Sequence, residues 1–141
     1  QVAFGSLPYL SIYGDDYPTK DGTGVRDYIH VVDLAEGHLA ALDYLEAQEK
    51  FKSPSVFNLG TGKGVSVLEL LTAFEEVIGS KIPNAITARR LGDVACCYAD
   101  VSKAKKILCW SAKKSLRDIC ETTWRFQKNY AEVIGINKDC E

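Results

Sequence analysis

"VFNLGTGKGVSVLELL", Val56 to Leu71, runs from an apolar stretch through three glycines into a helix-like pattern. That is how a nucleotide-binding loop begins, so its spacing decides what kind of α/β chain this is. A dinucleotide fingerprint requires G-x-G-x-x-G after a strand, with an acidic residue about twenty positions on for the ribose. Here the glycines are Gly60, Gly62 and Gly64, and Val65 holds the place of the third. Around Ser80 the chain reads "GSKIPN", with no carboxylate. A P-loop fails as well, because Gly64 follows Lys63 and no glycine stands at the required place before it. The glycines therefore read as a tight strand-to-helix turn rather than a phosphate cradle.

The rest of the composition excludes several classes. The chain has 141 residues, the size of one domain, with 46% hydrophobic and 26% charged residues. A net charge of −2 gives no electrostatic footprint for nucleic acid or an anionic membrane. No apolar run reaches a membrane span, and no charged-then-apolar leader opens the chain. Cys96, Cys97, Cys109, Cys120 and Cys140 contain no C-x-x-C pair, and His30 and His38 are the only histidines, so no zinc site is expected. An odd cysteine count without a leader favours reduced thiols and a cytoplasmic setting. The chain has no methionine and starts mid-phrase at "QVAFG", so it is expected to be the C-terminal portion of a longer protein.

Strands are expected at "YLSIYG", "VRDYIHVV", "SVFNLG" and "NAITARR", separated by turns and helices, which indicates an α/β class. Asp33 with Glu36 suits the N-cap of a helix whose core face carries Ala35, Leu39 and Leu42. Ser66 with Glu69 forms a second capping pair, followed by Val67, Leu70, Leu71, Phe74, Val77 and Ile78 at helical spacing, with Gly79 placed to end the helix. Asp100 can cap a short helix holding Ala104, Ile107 and Leu108. Ser115 and Asp118 open a last helix with a stripe of Leu116, Ile119, Cys120, Thr123, Trp124 and Gln127.

Three segments carry a resemblance. "DYPTKDGTGVRDYIHVVDLAEGHLAAL" (Asp16–Leu42), "FNLGTGKGVSVLEL" and "ARRLGDVACCYADVSKAKKILCW" together resemble the UDP-glucose 4-epimerase family, in that order and over effectively the whole chain. The resemblance implies an extended short-chain dehydrogenase/reductase. Residues 1–141 would be its C-terminal UDP-sugar-binding portion, and residues 28–79 would include elements that pack on a Rossmann sheet supplied by an absent N-terminal half. NAD would be held by that half. The implied substrates are UDP-glucose and UDP-galactose, with homodimerisation of the full-length protein. The implied reaction is oxidation at carbon 4 by NAD, turning of the keto sugar and return of hydride to its other face.

The resemblance also implies site residues. A diphosphate calls for planar cationic forks, which arginine supplies better than lysine. Arg26 and Arg90 occupy the family's phosphate-contacting positions, and Asp93 matches the carboxylate that accepts from the ribose. Ser11, Ile12 and Tyr13 match the extended stretch along the uracil, through backbone groups and an aromatic ring. Cys97 corresponds to a position lining the hexose pocket, where a small residue leaves room for an N-acetyl group. By residue type alone, Arg26 beside Asp27 also suits a surface ion pair, and Arg89–Arg90 also suits a solvated strand end.

The family's catalytic tyrosine stands four residues before a lysine. None of the seven tyrosines does so: "YPTK" is one residue short and "YADVSK" one long. No catalytic residue is therefore expected within this chain, which alone should not turn over substrate. The alternatives are another NAD-dependent sugar-nucleotide dehydratase or decarboxylase, or a non-catalytic module that binds UDP-sugars.

Overall fold

The computed structural model describes residues 1–48 and 54–133; Cys140 lies outside them. Strand β1 (Leu10–Tyr13) pairs in parallel with β4 (Asn84–Thr87), Tyr13 opposite Thr87. A second sheet has the order β3-β2-β5, where β2 is Val25–Arg26, β3 is Val65–Ser66 and β5 is Cys96–Cys97. The helices are α1 (Val31–Glu46), α2 (Val67–Ile78), α3 (Ser102–Ile107) and α4 (Leu116–Val133). Among the described residues, no helix is long and apolar enough to cross a membrane.

Helix α2 forms where local chemistry directs it. The Ser66 hydroxyl accepts from Glu69 N at 3.0 Å, and the Glu69 carboxylate accepts from Ser66 N at 2.9 Å, a complete capping box. Gly79 closes the helix in the left-handed region, φ 74°. Its apolar stripe then meets β1 and the segment leading into β4: Ile12, Leu71 and Ile82 form one buried core, with Val67, Phe74 and Ile78 against it. Trp124 of α4 meets the rings of Phe4 and Phe74 edge-on at 5.9 and 6.4 Å, which joins α4 to this layer.

Helix α1 differs from expectation in two ways. Its cap is His30, whose Nδ1 accepts from Val32 N at 3.0 Å while Nε2 meets Thr122 Oγ1 of α4 at 2.9 Å. Asp33 lies one turn further in, buried, and accepts from the backbone N–H groups of Lys113 (3.1 Å) and Lys114 (2.8 Å). The carboxylate is thus spent on the segment entering α4 rather than on its own helix end. The core face also differs. Gly37, Ala40, Ala41 and Tyr44 face the second core of Ala104, Leu108 and Trp110, whereas Leu39 (60% exposed) and Leu42 (54%) point outward.

"SVFNLG" is likewise corrected. Phe57 and Leu59 turn into the second core while Val56 is exposed, the alternation of a strand, but no described strand lies alongside to complete a ladder. Of "VRDYIHVV" only Val25–Arg26 is paired. Asp100 stands one residue before the cap position of α3, which is Val101, and its Oδ1 accepts from Ser102 N at 2.9 Å. At α4 the expected pair forms, Asp118 Oδ2 accepting from Ser115 N at 2.7 Å. In the α4 stripe Thr123 is exposed, and its neighbour Thr122 faces inward toward His30.

Candidate functional site

The glycine loop already holds an anion, and that anion is internal. Asp27 Oδ1 accepts from Thr61 N at 2.9 Å and from the Thr61 hydroxyl, while Oδ2 accepts from Gly62 N at 3.0 Å and Ala99 N at 3.2 Å. Gly60 has no room for a side chain, since a Cβ there would lie 2.5 Å from Asp27 Oδ2. Gly62 adopts φ +72°, the left-handed region that aims its N–H at the carboxylate. Burial pushes the Asp27 carboxyl upward, but the bonds from Thr61, Ala99 and Gly62 outweigh it and hold the group below the ordinary carboxylate range. An NAD pyrophosphate needs free amide donors at such a loop. Here those donors are taken, so these residues do not fit the cofactor.

A cleft of about 260 Å³ opens elsewhere, lined by Ser11, Tyr13, Tyr17, Gly24, Arg26, Tyr28, Val67, Arg90 and Asp93. Its walls follow from the two-residue period of extended chain. Ser11 and Tyr13 face the cleft, and Ile12 between them is 1% exposed in the core. On the opposite wall Gly24, Arg26 and Tyr28 face the cleft, while Val25 abuts Gly64 and Asp27 turns into the glycine loop. The turn before this wall is tied down by Asp21, whose carboxylate accepts from Thr23 N (2.9 Å), from the Thr23 hydroxyl (2.7 Å) and from the Ser66 hydroxyl.

The cleft concentrates cationic forks. Arg26 Nη1 donates to Val25 O at 2.8 Å, and Nη2 stands 3.7 Å from Asp93 Oδ1. The Arg90 guanidinium lies over the Tyr13 ring, 3.6 Å from its centroid, with no carboxylate partner among the described residues. The Tyr13 phenol is lowered by its hydrogen bond to Arg90 and then by that residue's charge, with Ser11 adding to the effect. Burial raises the Tyr28 phenol, and Arg26 opposes the shift. Two guanidinium groups and one carboxylate facing a common space suit a ligand that joins a diphosphate to a diol.

Of the residues expected from sequence, Ser11, Tyr13, Arg26, Arg90 and Asp93 therefore converge on one cleft. Ile12 does not: its side chain belongs to the core and only its backbone remains near the wall. Cys97 lies beside the cleft rather than in its lining, exposed on β5 and in register with Arg26. Sequence reasoning missed Gly24, Tyr28, Tyr17 and Val67. The alternation that places Arg26 in the wall also places Gly24 and Tyr28 there, so those two were accessible. Tyr17 had no such signal, because the ring is held by Arg89, 72 positions later.

The α/β elements match part of an extended short-chain dehydrogenase/reductase. The chain belongs to the family described as GDP-mannose 4,6 dehydratase, which matches residues 1–123. Within that family it is 54% identical over 129 residues to UDP-glucose 4-epimerase of Bacillus subtilis, covering 92% of this chain and 37% of that protein. It is 53% identical over 135 residues to the Homo sapiens UDP-glucose 4-epimerase, covering 96% and 38%. A solved UDP-glucose 4-epimerase from Stenotrophomonas maltophila, with bound NAD and formylated UDP-arabinopyranose, superposes with a TM-score of 0.89 at 49% identity, over 94% of this chain and 39% of that one. The enzyme from Bifidobacterium longum, in complex with NAD+ and UDP, gives 0.84 at 51% identity over 91% and 37%. The chain thus spans a little over a third of the length of the relatives it matches.

Proposed function

We propose that this chain is the UDP-sugar-gripping part of a UDP-glucose 4-epimerase, interconverting UDP-glucose and UDP-galactose once completed by the length its relatives have in addition. The observation that carries this reading is the convergence of Arg26, Arg90 and Asp93 on one cleft beside Tyr13 and Ser11. Arg90 and Arg26 take the diphosphate, Asp93 accepts from the ribose hydroxyls, and Tyr13 with the backbone of Ser11–Ile12 lies along the uracil. Residues of this chain bind and orient the substrate; no Tyr-x-x-x-Lys pair is available to move its protons. NAD supplies the redox chemistry from the part of the enzyme this chain does not span. The exposed Val56, Leu39 and Leu42 side chains suit the same arrangement, since that apolar surface would pack on the remaining sheet.

The test is UDP binding by calorimetry. A hydrogen bond to a charged group contributes about 1.5–3 kcal/mol, so Arg90→Ala should weaken binding about ten- to a hundred-fold. An unchanged dissociation constant would remove Arg90 from the site and with it the diphosphate assignment.

A further inference from the structure

The two adjacent arginines after β4 are in opposite states. Arg90 has no carboxylate partner among the described residues and meets only Tyr13, with its guanidinium over that ring. Arg89 is held in place: its Nε donates to Asp16 Oδ1 at 2.6 Å, its Nη2 donates to the Asp16 carbonyl, and its Cζ lies 4.1 Å from the Tyr17 ring centroid. A guanidinium with two of its five N–H donors bonded to one residue and one face against a ring is fixed in orientation, although Nη1 keeps its donors.

The place of this contact gives it a purpose. Strands β1 and β4 run together until the Gly14 N–H donates to Thr87 O at 2.9 Å. Beyond that bond, no backbone hydrogen bond among the described residues joins 14–17 to 88–90, and the Arg89 side chain takes over as the tie between the two segments. Gly14, at φ +86°, leaves the space for it: a Cβ there would stand 2.7 Å from Arg89 Cγ and 2.8 Å from Tyr17 Cε2. Tyr17 is 6% exposed and lines the cleft, so the tie is anchored to the cleft wall itself.

We propose that Arg89 is a positioning residue of the cleft: by clipping the end of β4 to the Asp16–Tyr17 turn, it holds the neighbouring Arg90 guanidinium on Tyr13 before any ligand arrives. The proposal deepens the diphosphate-binding reading and rests on it for the ligand. An arginine restrained in this way has lost its rotamer freedom in advance, which strengthens binding without a new contact. Global stability should barely depend on the clip, because Asp16 is 71% exposed and exposed ion pairs contribute little.

Tyr13 reports the position of Arg90, because its phenol is lowered chiefly by Arg90. The experiment follows the Tyr13 ring by NMR through a pH titration of the 141-residue chain, alongside UDP calorimetry and thermal melting. In Arg89→Gln the Tyr13 titration should move up toward the ordinary phenol value of about 10. UDP affinity should fall about ten-fold, with the melting temperature nearly unchanged. Asp16→Ala, a surface change with little bearing on folding, removes the acceptor for Arg89 Nε and should move the Tyr13 titration in the same direction. A Tyr13 titration unmoved in both variants overturns the proposal, and if UDP binding nevertheless weakens in Arg89→Gln, Arg89 touches the ligand directly. Failure of the unaltered chain to bind UDP would instead count against the diphosphate reading, while the Tyr13 titration would still decide whether Arg89 positions Arg90.

Discussion

Asp27→Asn is the sharpest perturbation of the scaffold under the cleft. The substitution keeps one oxygen, which can still accept from Thr61, and turns an NH2 group toward the N–H groups of Gly62 and Ala99. Each backbone N–H deprived of its acceptor costs about 1–3 kcal/mol, and both sites are half-buried, so the lower part of that range applies to each. The expected loss is about 2–4 kcal/mol, a large share of the roughly 5–15 kcal/mol that stabilises a domain. Urea unfolding monitored by tryptophan fluorescence measures it, and faster amide exchange at Gly62 and Ala99 localises it. Dependence on pH supplies an internal control. The folded carboxyl titrates below the unfolded one, so the unfolded state binds protons more readily and this stabilisation grows with pH. It is complete above about pH 5 and is lost as the pH falls below about 3.9 through the folded value, so native chain and variant should converge in acid. A loss under about 0.5 kcal/mol at neutral pH, within the range of ordinary surface substitutions, would refute the account of the loop as a receptor for Asp27.

Two further outcomes are expected. Ser66→Ala removes the acceptor for Glu69 N and the hydroxyl bound to Asp21, and should cost about 1–2 kcal/mol in the same unfolding assay; a loss below about 0.3 kcal/mol would show that the cap is dispensable. Cys97→Tyr, placed in a full-length epimerase carrying this segment, should abolish turnover of UDP-N-acetylhexosamines while sparing UDP-glucose. Equal turnover of both would remove Cys97, exposed beside Arg26, from any part in sugar choice.

What the sequence determined by itself was short-range. The Ser66–Glu69 box, the left-handed stop at Gly79 and the failure of the phosphate-loop spacing all rest on residues a few positions apart, where backbone geometry alone fixes who can meet whom. The tertiary structure decided the rest. The apolar spacing of α1 fits two faces, and only the placement of Leu59 and Trp110 against Gly37 selects the one that is buried. Nothing in the loop's own residues names the anion it holds, because Asp27 arrives from 34 positions earlier. The cleft is of the same kind: alternation lets Arg26 face one side of its strand, but Arg90 and Asp93 reach that side only because β4 and β5 join different sheets. A local pattern restricts which way a side chain can point, whereas its partner is chosen by closure of the chain over long separations, which no window of the sequence contains.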